Sequence, residues 1–164
     1  MSGNCNTGRK LVGARGFEPP TSRSRTKGSA KLADDHKEIR DRAVRLLEPE
    51  FEVVVADGNE LLKASAQMTP DVYVIDISMP QVNGIEAAIK LRESRSEARI
   101  VFLTVNEDSD FVRAALRTGA LGYVVKSRMA SDLCAAIRGA ISGQLFVSPS
   151  CIFSADPDQR NTLP

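Results

Sequence analysis

The sequence is short of cysteine. Three stand in 164 residues, Cys5, Cys134 and Cys151. They are odd in number and far apart, so they form neither a disulfide framework nor a zinc-ligand spacing, which suits a reducing cytoplasm. Cys134 falls on an apolar helical face and reads as core. No apolar run approaches the ~18 residues that a membrane span needs. No charged start followed by an apolar core marks a secretory leader. Large charge of one sign is also missing, since the formal net charge is +1. That small value hides an asymmetry. Residues 1–30 hold six Lys/Arg against one Glu, and the remaining chain holds sixteen Lys/Arg against twenty Asp/Glu. A mildly acidic body argues against nucleic-acid binding. The basic head lacks a helical period and interleaved aromatics, so it reads as a disordered or extraneous segment rather than a nucleic-acid arm.

What is present is ordinary for a soluble globular protein, with 42% hydrophobic and 26% charged residues. The length suits one domain with a real core. From Ala30 onward, apolar runs alternate with helical patterns. "AKLA" leads into "DDH", and a helix follows from about Lys37 to Glu48. Next come the strand "FEVVVADG", the helix "NELLKASAQM" and the strand "VYVID". The helix "GIEAAIKLRES" has Ile85, Ala88 and Ile89 on one side. The strand "RIVFLT", the helix "DSDFVRAALRTG" with a Gly119 stop, and the strand "ALGYVVK" follow. The last helix, "SDLCAAIRGAISG", has Ser131 as its N-cap and Gly143 as its stop. Leu133, Ala136, Ile137, Ala140 and Ile141 give it one apolar face. Strict alternation predicts a doubly wound parallel sheet with helices on both sides. Runs such as "VYVI" and "IVFL", with no polar alternation, fit strands buried on both faces.

In such sheets the site lies beyond the carboxyl ends of the strands. Those ends carry Asp34 and Asp35, then Asp76, then Thr104, then Lys126. The second strand ends in "ADG", which reads as a plain turn. Clustered carboxylates repel one another unless a cation joins them. An oxygen-only set of this kind is a natural Mg2+ site. Lys126 adds a point charge for a phosphate oxygen, and Thr104 adds a hydroxyl donor. A carboxylate so placed can act as a nucleophile and form an aspartyl-phosphate. Pro80 turns the chain away from the sheet after Asp76. Gly84 allows a positive φ or a close approach before the next helix.

From about Ala30 to Pro149 the chain resembles the receiver domain of two-component response regulators. The resemblance rests on "LADDH", "VIDISMPQVNGIEA", "VFLT" and "GALGYVVK", in that order and spacing. With "VSP" after the last helix, it is most similar to the NarL/FixJ (LuxR-type) subfamily. The resemblance implies a flavodoxin-like five-stranded parallel sheet of order 2-1-3-4-5. It implies Asp76 as the phosphoacceptor, served by a phosphohistidine of a sensor histidine kinase. Asp34, Asp35, Asp76 and the Ser78 backbone carbonyl would hold Mg2+. Thr104, Lys126 and Tyr123 would bind the phosphoryl group and carry the switch. It further implies a self-phosphorylating cytoplasmic signalling module with no separate substrate turnover. Its partners would be the kinase, a downstream protein and a second copy of the chain, with no membrane and no direct DNA binding.

Two departures from the pattern bear on that expectation. The first strand, "GSAKLA", offers only Ala30, Leu32 and Ala33 as apolar positions, and each missing Val or Leu forgoes roughly 1.5–3 kcal/mol of burial. A defective first strand would misplace Asp34 and Asp35 and leave a degenerate docking module. After Pro149 only fifteen residues remain, with no room for a helix-turn-helix. The chain therefore reads as a stand-alone receiver or the receiver half of a DNA-binding regulator, divided into residues 1–28 (head), 29–149 (receiver) and 150–164 (tail). Within the head, "LVGARGFEPPTSRSRT" resembles peptides made when a transfer-RNA gene is translated by mistake. A phosphatase of the haloacid-dehalogenase type is the competing enzyme class, but it needs a second Asp two residues after the nucleophile, where Ser78 stands.

Overall fold

A computed structural model describes residues 27–63 and 69–152. The expectations for residues 1–26 and for the tail beyond Ile152 lie outside the described residues. So does the carboxyl-terminal half of the expected helix "NELLKASAQM", since the described helix is Gly58–Lys63.

The strands are β1 (Gly28–Ala33), β2 (Phe51–Ala56), β3 (Val72–Asp76), β4 (Ile100–Thr104), β5 (Gly122–Val125) and β6 (Phe146–Val147). The α-helices are α1 (Lys37–Leu47), α2 (Gly58–Lys63), α3 (Gly84–Ser94), α4 (Ser109–Arg117), α5 (Met129–Ile141) and α6 (Pro149–Ile152). A single 3-10 turn, Lys126–Arg128, joins β5 to α5. All strand pairs are parallel, in the order β2-β1-β3-β4-β5-β6. The expected order 2-1-3-4-5 is present, extended by a two-residue sixth strand.

The period of two along each strand divides the core into two layers. Tyr73, Ile75, Ile100 and Phe102 face Leu61, Ala87, Ala88, Leu91, Val112 and Ala115 of α2, α3 and α4. Val72, Val74, Val101 and Leu103 face Ala43 and Leu47 of α1 and the Leu133, Ala136, Ile137 and Ala140 stripe of α5. β3 and β4 are buried at every position, as strands covered on both sides must be.

The first strand is complete. It runs the full length of "GSAKLA", with all but Gly28 buried, and pairs with β2 on one side and β3 on the other. Its small side chains are filled in by neighbours: a Cβ at Gly28 would meet the Phe51 ring at 3.2 Å and Ile141 at 3.3 Å. The polar Ser29 is tied down by Asp71, which accepts from both its N–H at 2.7 Å and its hydroxyl at 2.9 Å.

Two local expectations are corrected. Ile89 is 42% exposed, and α3 buries Gly84, Ala87, Ala88 and Leu91 instead. Ser131 is not the N-cap of the last helix, because the 3-10 turn runs straight into α5 at Met129. Ser131 sits in the first turn, where its hydroxyl proton is shared between Asp132 Oδ1 at 2.6 Å and the Arg128 carbonyl at 3.0 Å. Beyond α5, β6 pairs with β5 and α6 packs beside α4. The expected stops hold: Gly119 (φ 83°) and Gly143 (φ 76°) both adopt the left-handed conformation that ends a helix. Among the described residues no helix is long and apolar enough to cross a membrane.

Candidate functional site

The parallel arrangement puts every strand's carboxyl end at the same edge of the sheet. β1 delivers Asp34 just past Ala33, and β3 delivers Asp76 as its last residue. β4 ends in Thr104, and β5 is followed at once by Lys126. Asp34, Asp76, Thr104 and Lys126 are all buried. Sequence order and sheet order thus converge on one small polar cluster at this edge of the sheet.

Lys126 is its hub. The ammonium Nζ lies 2.8 Å from Asp34 Oδ2 and 2.9 Å from Asp76 Oδ2. Burial works against its charge, but the two carboxylates outweigh burial and hold its pKa above the usual lysine value. Asp76 is pushed the other way from most paired carboxylates. Burial raises its pKa; Lys126 and the Ser78 N–H pull it down without cancelling that rise, and Asp34 adds to it. One cation is shared between two buried carboxylates, so the cluster still favours added positive charge.

The loop after Asp76 is locked by its own backbone. Ser78 N–H donates to Asp76 Oδ1 at 3.1 Å, and Ser78 bridges Asn83. Asn83 caps α3 by accepting from Ile85 N–H at 2.9 Å. Gly84 serves close approach, not a positive φ: a Cβ there would lie 2.1 Å from the Asp76 carbonyl oxygen. Met79 turns inward into the core. A cleft of about 120 Å³ opens between Asp35, Asp57, Gly58 and the Met79–Val82 loop. Asp57 itself is a capping residue, accepting from Glu60 N–H at 2.6 Å, a role beyond the plain turn expected of "ADG".

Thr104 accepts from Asn106 N–H at 3.2 Å. Tyr123 is fully buried, and its hydroxyl donates to the Asn106 carbonyl at 2.9 Å. Burial, then nearby Cys151, push its phenol up to about 12. Thr104 and Tyr123 are therefore joined through the short segment after β4.

Carboxylate oxygens of Asp34, Asp35 and Asp76 lie within 4.8 Å of one another, and so does a ring nitrogen of His36. The donor set is oxygen-rich and partly buried, with an excess of negative charge, and it fits a divalent cation. The fourth member, His36, was not assigned a role from sequence. Its only signal was adjacency to the acidic pair.

Residues 31–138 match the family model described as "Response regulator receiver domain". The chain belongs to that family, whose members are not turnover enzymes and partner with histidine kinases. Within it, the chain is most similar to NarL/LuxR-type regulators. It is 35% identical over 136 residues to the transcriptional regulatory protein DegU of Brevibacillus brevis, covering 80% of this chain and 58% of that protein. It is 33% identical to the nitrate/nitrite response regulator protein NarL of Escherichia coli (strain K12), covering 71% of this chain and 56% of that protein. The chain thus spans little more than half the length of these relatives. Among solved structures, a LuxR-family two-component response regulator from Aurantimonas sp. SI85-9A1 superimposes with TM-score 0.73 at 34% identity, covering 78% of this chain and 94% of that one. The isolated receiver domain of RcsB from Salmonella enterica serovar Typhimurium, solved with the phosphomimetic BeF3-, shares the fold with TM-score 0.73 at 23% identity, covering 79% of this chain and 99% of that one.

Proposed function

We propose that Asp76 accepts a phosphoryl group from a sensor kinase phosphohistidine, and that the resulting aspartyl-phosphate resets a protein-binding face. The observation that carries this reading is the single lysine bridging Asp34 and Asp76 at 2.8 and 2.9 Å. A carboxylate oxygen of Asp76 attacks phosphorus, and the phosphorus–nitrogen bond breaks with its electron pair leaving on the imidazole. Asp34, Asp35, Asp76 and the Ser78 backbone carbonyl would hold Mg2+, which supplies charge neutralisation at the transferring group. Lys126 keeps one positive charge beside Asp76 throughout.

The switch reading follows from the same geometry. Phosphorylation adds about −1.5 to −2 charge at Asp76. Thr104 supplies a hydroxyl for the new oxygens. Its movement would disturb Asn106, and with it the carbonyl that holds Tyr123. Tyr123 already lies inward, so the change transmitted is in the β4–α4 segment rather than an inward swing of the ring. The receiver portion is assigned to residues 29–149, with a kinase, a downstream protein and a second copy of the chain as partners.

Intact mass after incubation with Mg2+ and acetyl phosphate tests the phosphoacceptor. A gain of one phosphoryl mass is expected in the parent chain and not in Asp76→Asn. No gain in a folded parent chain would replace this reading with a docking-only module. Tyr123→Ala tests the switch: if it leaves phosphorylation-dependent partner binding intact, the Thr104–Asn106–Tyr123 route is wrong.

A second reading is favoured by the lengths of the relatives, which are regulators of nearly twice this span. In that reading this is the receiver half of a DNA-binding transcriptional regulator. Immunodetection of the natural gene product at roughly double the mass of this chain would establish it, and a product of this chain's size would remove it.

A further inference from the structure

The metal-ligand assignment above uses only oxygen donors, yet a nitrogen is built into the same cluster. His36 is the N-terminal flanking residue of α1, held in an extended backbone conformation (φ −81°, ψ 106°) by its own N–H, which donates to Asp34 Oδ1 at 2.8 Å. That conformation turns the imidazole back over the acidic pair. Nδ1 lies 3.1 Å from Asp35 Oδ1 and 3.4 Å from Asp34 Oδ1. The side chain is 62% exposed, so packing does not hold it there. The two carboxylates do.

One donor atom from each of Asp34, Asp35, His36 and Asp76 lies within 4.8 Å of all the others. Ligands on opposite sides of a cation bound at about 2.1 Å stand about 4.2 Å apart, so small side-chain shifts bring the four donors to one ion. A second observation points into the same space. Asp34 Oδ2 is buried and paired with Lys126 Nζ at 2.8 Å, which takes up one of its two lone pairs and leaves the other for a cation.

The chemistry of a mixed nitrogen–oxygen set differs from that of an oxygen set. Mg2+ takes oxygen and keeps its waters, whereas imidazole raises affinity for first-row transition ions along the series from Mn2+ to Ni2+ and Cu2+. We propose that His36 Nδ1 is a direct ligand when a divalent first-row transition ion occupies this site, so that the metal preference of this receiver is shifted away from Mg2+ by a residue outside its acidic triad. The proposal rests on the reading of Asp34, Asp35 and Asp76 as metal ligands.

The sequence makes the test clean, because His36 is the chain's only histidine. The untagged full chain, freed of Mg2+ and loaded with Mn2+, is measured by pulsed electron spin resonance for nitrogen-14 modulation. Modulation of imidazole type is expected in the parent chain and absent from His36→Gln. In parallel, titration calorimetry should show Ni2+ affinity falling about tenfold in His36→Gln, the lower end of the range for disturbing a metal's protein partners, with Mg2+ affinity changed less than twofold. Mn2+ bound in the parent chain without imidazole modulation, or with modulation unchanged in His36→Gln, overturns the proposal. Asp35→Asn separates the two readings. If Mn2+ binding is lost in Asp35→Asn but carries no nitrogen signal in the parent, the oxygen site stands and only the His36 assignment fails. If Mn2+ binds equally to Asp35→Asn, the site itself is misplaced and both fail.

Discussion

Asp76 and Asp132 are both buried carboxylates, 1% and 4% exposed, and each has a basic side chain beside it. Their surroundings drive them in opposite directions. Asp132 accepts from Arg128 at 2.9 and 3.3 Å, from the Ser131 hydroxyl at 2.6 Å and from the Ser148 hydroxyl at 2.8 Å. Burial pushes its pKa up, but these donors overcome burial and hold it below the usual carboxylate range. Asp76 has fewer donors and faces a second carboxylate, so burial prevails and its pKa is raised. The two sites differ in how far their charge is answered: Asp132 has its acceptor capacity filled, whereas Asp76 shares a single cation with Asp34 and remains short of positive charge.

Removing the cation should break this contrast most severely. Lys126→Met leaves Asp34 and Asp76 buried and unpaired, and is expected to cost about 3–5 kcal/mol in urea unfolding without divalent metal. Mg2+ should recover part of that loss, more than it adds to the parent chain. Next in size, Asp132→Ala strips the acceptor from Arg128 and Ser148. Because Arg128 is 42% exposed and can reach water, the expected cost is nearer ~1.5–3 kcal/mol, read from the urea midpoint. Asp76→Asn should act in the opposite sense. It replaces a carboxylate that burial holds above its usual pKa with a neutral amide, and a gain in stability is expected from the urea midpoint in metal-free buffer at pH 7. A loss of stability in Asp76→Asn would mean that the cluster is satisfied as it stands.

The smallest effect sharpens the contrast through pH. The unfolded-state value for both groups is about 3.9. Asp132 has a depressed folded pKa, so its stabilisation is present above ~3.9 and is lost as pH falls through the folded value. Asp76 has a raised folded pKa, so its contribution is present below ~3.9 and is lost as pH rises through the folded value. Stability profiles from urea melts between pH 3 and 7 should therefore flatten below ~3.9 for Asp132→Ala and above ~3.9 for Asp76→Asn. Equal profiles would show that the two carboxylates are not in opposite regimes.

Much of this was legible in the sequence, for a physical reason. Alternating apolar runs and helical periods define a parallel sheet, and a parallel sheet gathers its strand ends at one edge. That alone assembles Asp34, Asp76, Thr104 and Lys126. What escaped was whatever depended on neighbours distant in the chain. "GSAKLA" looks poor because a residue count weighs side chains, whereas β1 is held by backbone pairing on both sides and by Phe51 and Ile141 filling beside Gly28. Ser131 looks like an N-cap because capping is a local rule, yet the preceding 3-10 turn had already started the helix. The Asp132–Ser148 bond joins residues from α5 and the segment after β6, and no local pattern announces it. His36 was in view beside the acidic pair, but the direction of its ring was not.

The Ser148 hydroxyl also accepts from Val125 N–H at 3.2 Å, and Ser148 N–H donates to the Tyr123 carbonyl at 2.8 Å. These bonds pin the two-residue β6 along β5, and the chain then coils into α6. One margin of the sheet is thereby blunted. The opposite margin, β2, is six residues long, exposes Val54 and Val55, and pairs with no strand on its outer side among the described residues. A sheet with two long free margins can add copies without limit, as fibres do. With a single usable margin, strand-to-strand association between copies closes at a pair. The short sixth strand thus leaves few backbone groups on its margin for another strand to pair with.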